Sequence, residues 1–100
     1  MAFTVYKADT AYDGLLEIAE FIARDNPTRS FTFIEELEVF FEAQLSEFPE
    51  SGRRLEGKEV RQFTHKGYTA FYEIDTENEI VYILYIVNLE KPLEERGIEF

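Results

Sequence analysis

Apolar residues in the first half of the chain recur at intervals of three or four positions, which is the spacing of one face of a helix. The first set is Ala11, Leu15, Ile18, Ala19 and Ile22. It predicts a helix from about Thr10 to Asp25. A boundary follows at Asn26-Pro27, because asparagine caps helices and proline suits their first position. A second helix is predicted to begin there and to end before Pro49.

The second helix carries a broad apolar stripe, with acidic residues mostly on its outer side. The stripe consists of Phe33, Ile34, Leu37, Phe40, Phe41, Leu45 and Phe48. Two amphipathic helices joined by so short a turn are expected to pack antiparallel, as a hairpin that buries both stripes against another element.

Extended segments flank this hairpin. Residues Phe3 to Lys7 favour a first strand, and after a loop from Pro49 to Lys58 the spacing becomes extended again. The later predicted strands are Glu59 to Thr64, Tyr68 to Asp75 and Glu79 to Asn88. Their connections are short turns, so a three-stranded antiparallel meander is expected. The predicted fold class is α+β, in the order β-α-α-β-β-β.

The last predicted strand is apolar on both faces from Ile80 to Val87. Such a strand is expected to lie inside the sheet and to be covered on both sides. One helical hairpin covers one face, so the other face is expected to meet the tail, Leu89 to Phe100, or a partner. Residues 1–100 are expected to form one domain, with the tail 89–100 loosely docked.

Missing residue types exclude several kinds of chemistry. The absence of cysteine removes disulfides, thiolate nucleophiles and thiolate metal sites, and fits a reducing cytoplasm. The single histidine, His65, lies in a predicted turn without a partner, so no catalytic residue is assigned. We expect no metal and no cofactor. No segment approaches 18 uninterrupted apolar residues and no leader pattern opens the chain, so we expect neither export nor membrane contact.

The uneven distribution of charge along the chain limits where a binding site can lie. The formal net charge of −11 opposes contact with nucleic acid over most of the surface. Half of the ten Lys and Arg residues lie between Arg53 and Lys66. Arginine there could bind phosphate or carboxylate through its planar fork, or could pair with an acidic helix face or with helix C-terminal carbonyls.

Two tyrosines follow this basic stretch. Tyr68 and Tyr72 lie on one face of the next strand. They could stack on the bases of a nucleic acid, or they could pack in the core or on the sheet surface. The candidate binding residues are therefore Arg53, Arg54, Lys58, Arg61, Lys66, Tyr68 and Tyr72.

The residues from Phe3 to about Val87 also carry a family resemblance. Its parts are Ala11, Leu15, Ile18-Ala19, Ile22 to Pro27, Phe33-Ile34, Leu37, Leu45, Phe48-Pro49, Gly52-Arg53, Val60-Arg61, Tyr68, Phe71-Tyr72, Ile80 and Ile83. In this order they resemble the RelE/ParE toxin superfamily, and particularly its ParE, or plasmid-stabilisation, branch.

The resemblance implies a toxin of a type II toxin–antitoxin module. It implies an antitoxin, commonly of the ParD type, that wraps over the groove and sheet of the toxin. For ParE relatives the implied target is DNA gyrase. RelE relatives cut messenger RNA in the ribosome, with several basic residues and a tyrosine around the scissile phosphate.

This sequence departs from the RelE pattern in its last strand. Arg53, Arg54, Lys58 and Arg61 could occupy the loop and second strand of an RNA-cleaving site. The last strand has no arginine, and Asn88 to Lys91 stand where ParE relatives often have histidine or arginine. We therefore expect a ParE-like toxin that acts by protein–protein binding, without direct nucleic-acid contact. A RelE-like ribosome-dependent mRNA endonuclease and a degenerate, non-toxic binding module are the alternatives.

Overall fold

The computed structural model describes residues 2–88 of the chain. The elements are β1 (Thr4–Lys7), α1 (Asp9–Ala23), α2 (Pro27–Glu47), a 3₁₀ turn (Pro49–Ser51), β2 (Arg53–Arg54), β3 (Val60–His65), β4 (Tyr68–Asp75) and β5 (Ile80–Asn88). The strands form one sheet in the order β1-β5-β4-β3-β2. The predicted α+β fold is confirmed, and the tail 89–100 lies outside the described residues.

The sheet is mixed rather than a simple meander. The β3–β4 and β4–β5 pairs are antiparallel as predicted, whereas β1 pairs parallel with β5. The prediction of a loop from Pro49 to Lys58 was wrong, because this segment contains a 3₁₀ turn and the edge strand β2. A strand of two residues has no periodicity of its own, and only its pairing with β3 reveals it.

The helix boundaries follow from local chemistry. The side chain of Asn26 accepts a hydrogen bond from the backbone N–H of Arg29 at 3.0 Å, and Pro27 is the first residue of α2, as predicted. The first helix ends at Ala23 rather than at Asp25. Neither helix within residues 2–88 has the length and apolar content that a membrane crossing requires.

The helical hairpin covers one face of the sheet, which we call the helix face. The core between the two layers contains Ala11, Leu15, Ile18, Leu37, Phe41, Leu45, Ala70, Tyr72, Val81, Ile83 and Ile86. Alternating residues of β4 and β5 supply the sheet side of this core, because successive side chains of a strand point to opposite faces.

The opposite face, called the second face, carries a smaller apolar cluster. Val60, Phe71 and Val87 are buried there, with Leu55 and Tyr85 among the residues packed against them. The second face of the last strand was predicted to be covered by the tail or by a partner; among the described residues Tyr82 is 41% exposed, and the tail lies outside them. Coverage of this face is therefore uneven among the described residues.

A bulge in β5 explains why this strand is apolar at both parities. Phe71 pairs with Tyr85 and Tyr72 pairs with Ile83, so Leu84 is an extra residue. The bulge reverses the alternation, which lets Ile83 and Ile86 both face the helices. The hydroxyl of Thr10 donates to the carbonyl of Leu84 at 2.5 Å and ties α1 to this point.

An ion-pair cluster around the buried side chain of Lys7 joins β1 to α2. The ammonium of Lys7 is hydrogen-bonded to Glu42 and lies 3.0 Å from the carboxylate of Glu38, with the Lys7 side chain only 7% exposed. Burial alone would lower the pKa of Lys7, but the two carboxylates together outweigh it and raise the pKa above its ordinary value. The lysine therefore stays charged and anchors the edge strand to the helix.

Gly14 sets the close approach of α1 to β5. A Cβ atom at this position would lie 2.1 Å from the carbonyl oxygen of Ile86, so the helix could not keep its distance from the strand. We predict that Gly14→Ala lowers the free energy of unfolding by about 1–3 kcal/mol through overpacking. At an open helix position the same change raises stability by about 1 kcal/mol. Chemical denaturation decides between the two signs, and a stabilised variant would contradict the close contact.

Candidate protein-binding site

The structure divides the basic stretch between the two faces of the sheet. In the pairing of β2 with β3, Arg53 lies opposite Gln62 and Arg54 lies opposite Arg61. Residues opposite each other share a face, so Arg53 is on the second face and Arg54 and Arg61 are on the helix face. Arginines that are adjacent in sequence are therefore separated by the sheet.

Arg61 and Tyr72 together hold the turn that precedes β2. Arg61 Nη1 donates to the carbonyl oxygen of Gly52 at 2.9 Å and to that of Glu50 at 3.4 Å. The hydroxyl of Tyr72 donates to the carbonyl oxygen of Pro49 at 2.7 Å and accepts from the N–H of Gly52 at 2.9 Å. These four bonds fix the direction in which the chain enters β2, and with it the position of Arg53.

Gly52 is the residue in this turn that sequence reasoning did not single out as functional. A Cβ atom there would lie 2.4 Å from the Tyr72 hydroxyl and 2.7 Å from the carbonyl oxygen of Gln62. The turn can therefore close over Tyr72 only with glycine at this position. The signal in the sequence is a proline and a glycine three residues apart at the end of a helix.

Tyr72 is a core residue as well as a hydrogen-bonding one. It is 0% exposed. Burial raises the pKa of its hydroxyl, while the Gly52 N–H and the charge of Arg61 oppose this rise in part. The hydroxyl keeps its proton at neutral pH and donates it to Pro49. Tyr72 can therefore act on a partner only through the turn that it positions.

Arg54 and Lys58 lie together beside β2. Arg54 Nε donates to the carbonyl oxygen of Lys58 at 2.9 Å, and its guanidinium forms an exposed ion pair with Glu59. A pair this exposed contributes about 0–1 kcal/mol, so a partner could displace it at small cost. Both residues stay predicted binding residues.

Arg53 differs from the other arginines of this stretch. Its side chain is exposed, and it forms no ion pair or side-chain hydrogen bond with any residue between positions 2 and 88. Its guanidinium is therefore available to an acidic group of a partner. Within the described chain, Arg53 is the best placed of the predicted binding residues.

Lys66 and Tyr68 lie at the other end of β3. Lys66 follows β3 and comes five positions after Arg61, a distance of roughly 16 Å along an extended chain. Tyr68 faces the helices and packs on Phe33 with ring centroids 5.3 Å apart. The positive charge of Lys66 helps to lower the pKa of Glu36, after the larger effects of Arg29. These two residues therefore belong to a separate region from Arg53.

His65 packs as an aromatic ring. It stacks on Phe40 of α2 with centroids 3.5 Å apart and an interplanar angle of 9°. Burial, and then the charge of Lys66, lower its pKa, so the ring is neutral at neutral pH. No cluster of three metal-ligating side chains occurs within residues 2–88.

We predict that Tyr72→Phe weakens the turn without removing the ring from the core. The carbonyl of Pro49 and the N–H of Gly52 would lose their partner, which costs about 1–3 kcal/mol of unfolding free energy. Tyr82→Phe, which changes an exposed tyrosine, is the matched control and should change stability by less than about 0.5 kcal/mol. Equal stabilities of the two variants in urea denaturation would contradict the role of the Tyr72 hydroxyl.

The chain shares its architecture with several solved structures. It is similar to a chain of the chromosomal ParDE system from P. aeruginosa, with TM-score 0.75 and 18% identity over 89% of this chain and 98% of that one. It is also similar to a chain of the RelBE2 toxin–antitoxin complex from Mycobacterium tuberculosis, with TM-score 0.65 and 24% identity over 88% and 99%. The isolated E. coli RelE toxin gives TM-score 0.60 and 16% identity over 96% and 94%.

At these identities the likeness to solved structures concerns the fold. A comparison with curated protein sequences gave no match. The family described as ParE toxin of type II toxin-antitoxin system, parDE, matches residues 5–89. The chain therefore belongs to the ParE toxin family, and the membership predicted from its sequence is confirmed.

Proposed function

We propose that the chain is a toxin that acts in the cytoplasm by binding a protein, DNA gyrase, and that a ParD-like antitoxin neutralises it. The observation that carries the proposal is the separation of Arg53 from Arg54 and Arg61 by the sheet. Arg53 lies on the second face, whereas Arg61 lies on the helix face and is bonded to the 49–52 turn. These two side chains are directed away from each other.

Cleavage of RNA places stricter demands on geometry than binding does. Basic groups and a proton carrier must surround one phosphate within hydrogen-bond reach. The hydroxyl of Tyr72 is buried and already has two backbone partners. β5 carries no lysine, arginine or histidine from Ile80 to Asn88. This arrangement favours recognition of a protein surface over phosphate chemistry.

A RelE-like ribonuclease is the second candidate. The likeness to the isolated E. coli RelE toxin and the proximity of Arg61 to Tyr72 favour it. The Arg61 guanidinium and the Tyr72 hydroxyl are both hydrogen-bonded to the 49–52 turn, so this function would require the turn to release them on the ribosome.

Similarity to solved toxin–antitoxin structures supports an antitoxin partner. The structures that the chain resembles include a ParDE system and two RelBE complexes. Part of the second face is exposed at Tyr82, and an antitoxin that covers this face would bury it.

We predict that the purified chain inhibits supercoiling by gyrase and that Arg53→Glu weakens the inhibition. Charge reversal at an exposed, unpaired arginine replaces attraction by repulsion, so the concentration for half inhibition should rise by about tenfold. Arg24→Glu, at an exposed arginine near the end of α1, is the control with the same charge change and should behave like the unmodified chain. Plasmid supercoiling is measured on agarose gels across a concentration series.

Two results would contradict this proposal in different ways. Equal inhibition by the Arg53→Glu variant and the unmodified chain would remove Arg53 from the gyrase contact. Unchanged supercoiling at all concentrations would remove gyrase as the target. If the chain, induced alone in cells, also leaves growth unchanged, it is the non-toxic binding module.

A further inference from the structure

The second face carries an exposed aromatic and acidic patch near its β1 edge. Tyr6 and Tyr82 stack with ring centroids 6.0 Å apart and an interplanar angle of 23°. They remain 54% and 41% exposed. Glu73 lies opposite Tyr82 in the neighbouring strand and is also exposed. We call Tyr6, Tyr82 and Glu73 the tyrosine patch.

These side chains are not part of the core. Both rings lie outside the two apolar clusters formed by residues 2–88. The side chain of Glu73 forms no ion pair or hydrogen bond with a described residue. Two large rings that stay exposed beside an unpaired carboxylate form a surface that a ligand could cover.

Tyrosine rings beside a carboxylate favour a cationic ligand. The face of a tyrosine ring attracts a positive charge, and this attraction strengthens when the cation loses water. Side chains directly opposite in a sheet have Cβ atoms about 4.5–5.5 Å apart, so a cation over Tyr82 would also reach Glu73. A guanidinium can stack on a ring while it forks onto a carboxylate, which an ammonium does less well.

We propose that the tyrosine patch binds an arginine or lysine side chain of the antitoxin segment that covers the second face. This proposal rests on the antitoxin partnership proposed above. Charge complementarity commits it to a basic segment, since the chain has 21 Asp and Glu residues against 10 Lys and Arg. Tyr6, Tyr82 and Glu73 are its contact residues.

The other end of the second face has the opposite charge. Arg53 lies on β2, at the far edge of the sheet from Tyr6 on β1. Four strand spacings of about 4.8 Å separate these edges, roughly 19 Å in all. A segment that crosses the face would place a basic residue over the tyrosines and an acidic residue at Arg53. The charges therefore fix the direction in which the segment runs.

The test uses two fluorescently labelled peptides of equal length, one alternating arginine with leucine and the other alternating glutamate with leucine. Fluorescence anisotropy measures their binding to the full chain. The basic peptide should bind, and the acidic peptide should not do so at the same concentrations. Tyr82→Ala and Glu73→Lys should each weaken binding of the basic peptide by about tenfold, because one removes a ring and the other introduces repulsion.

Matched variants separate this site from general attraction to an acidic protein. Glu35→Lys makes the same charge change on an exposed position of α2 and should weaken binding by less than about twofold, as expected for a screened distant charge. Tyr82→Phe keeps the ring and should bind like the unmodified chain. Urea denaturation of each variant establishes that it is folded before binding is compared.

Four results would overturn the proposal. Equal losses in Glu35→Lys and Glu73→Lys would mean non-specific attraction. Unchanged binding by Tyr82→Ala would remove the ring from the contact. Self-association that depends on Tyr82, without peptide binding, would assign the patch to a second copy of the chain. A chain that inhibits gyrase but ignores the basic peptide refutes the patch alone, and the reverse result refutes the gyrase target alone.

Discussion

One helical hairpin can cover only one face of this sheet, and the rest of the molecule is arranged around that constraint. Strand alternation sends neighbouring side chains to opposite faces. The helix face receives Tyr72 and Arg61, and the second face receives Arg53 and Tyr82. Tyr72 becomes part of the interior, and Arg61 is bonded to the 49–52 turn. On the second face, Arg53 and Tyr82 stay exposed, whereas Val60, Phe71 and Val87 are buried.

The buried residues of the helix face hold the 49–52 turn in place. A buried tyrosine needs partners for its hydroxyl, and Tyr72 finds them in the 49–52 turn. The turn closes tightly because Gly52 has no side chain, and Arg61 adds a charged donor to the same carbonyl groups. The position of Arg53 on the opposite face therefore depends on contacts made inside the protein. The backbone of residues 49–52 therefore links the packing of the core to the exposed position of Arg53.

Local signals predicted most of the fold from sequence. The periodicity of the apolar residues located both helices, and Asn26-Pro27 located the boundary between them. β2 could not be predicted, because a strand of two residues exists only through its pairing. The bulge at Leu84 could not be predicted from the sequence either. A strand that is apolar at every position does not indicate where its alternation reverses.

The candidate site was harder to predict than the fold for a related reason. Arg53 and Arg54 are adjacent in sequence, but nothing in the sequence says that a strand begins there and separates them. The tyrosine patch depends on the parallel pairing of β1 with β5, which joins residues 76 positions apart. Contacts between strands so distant in the chain leave no local pattern.

The contacts of Arg61 and Tyr72 with the 49–52 turn, and the separation of Arg53 from both by the sheet, argue against an RNA-cleaving site within residues 2–88. Primer extension on messages undergoing translation, with purified chain added to the ribosomes, tests whether such a site exists. We expect no new message ends at any concentration of the chain. New ends that disappear in an Arg61→Ala variant of unchanged stability would contradict this expectation, because Arg61 would then act on RNA rather than on the 49–52 turn.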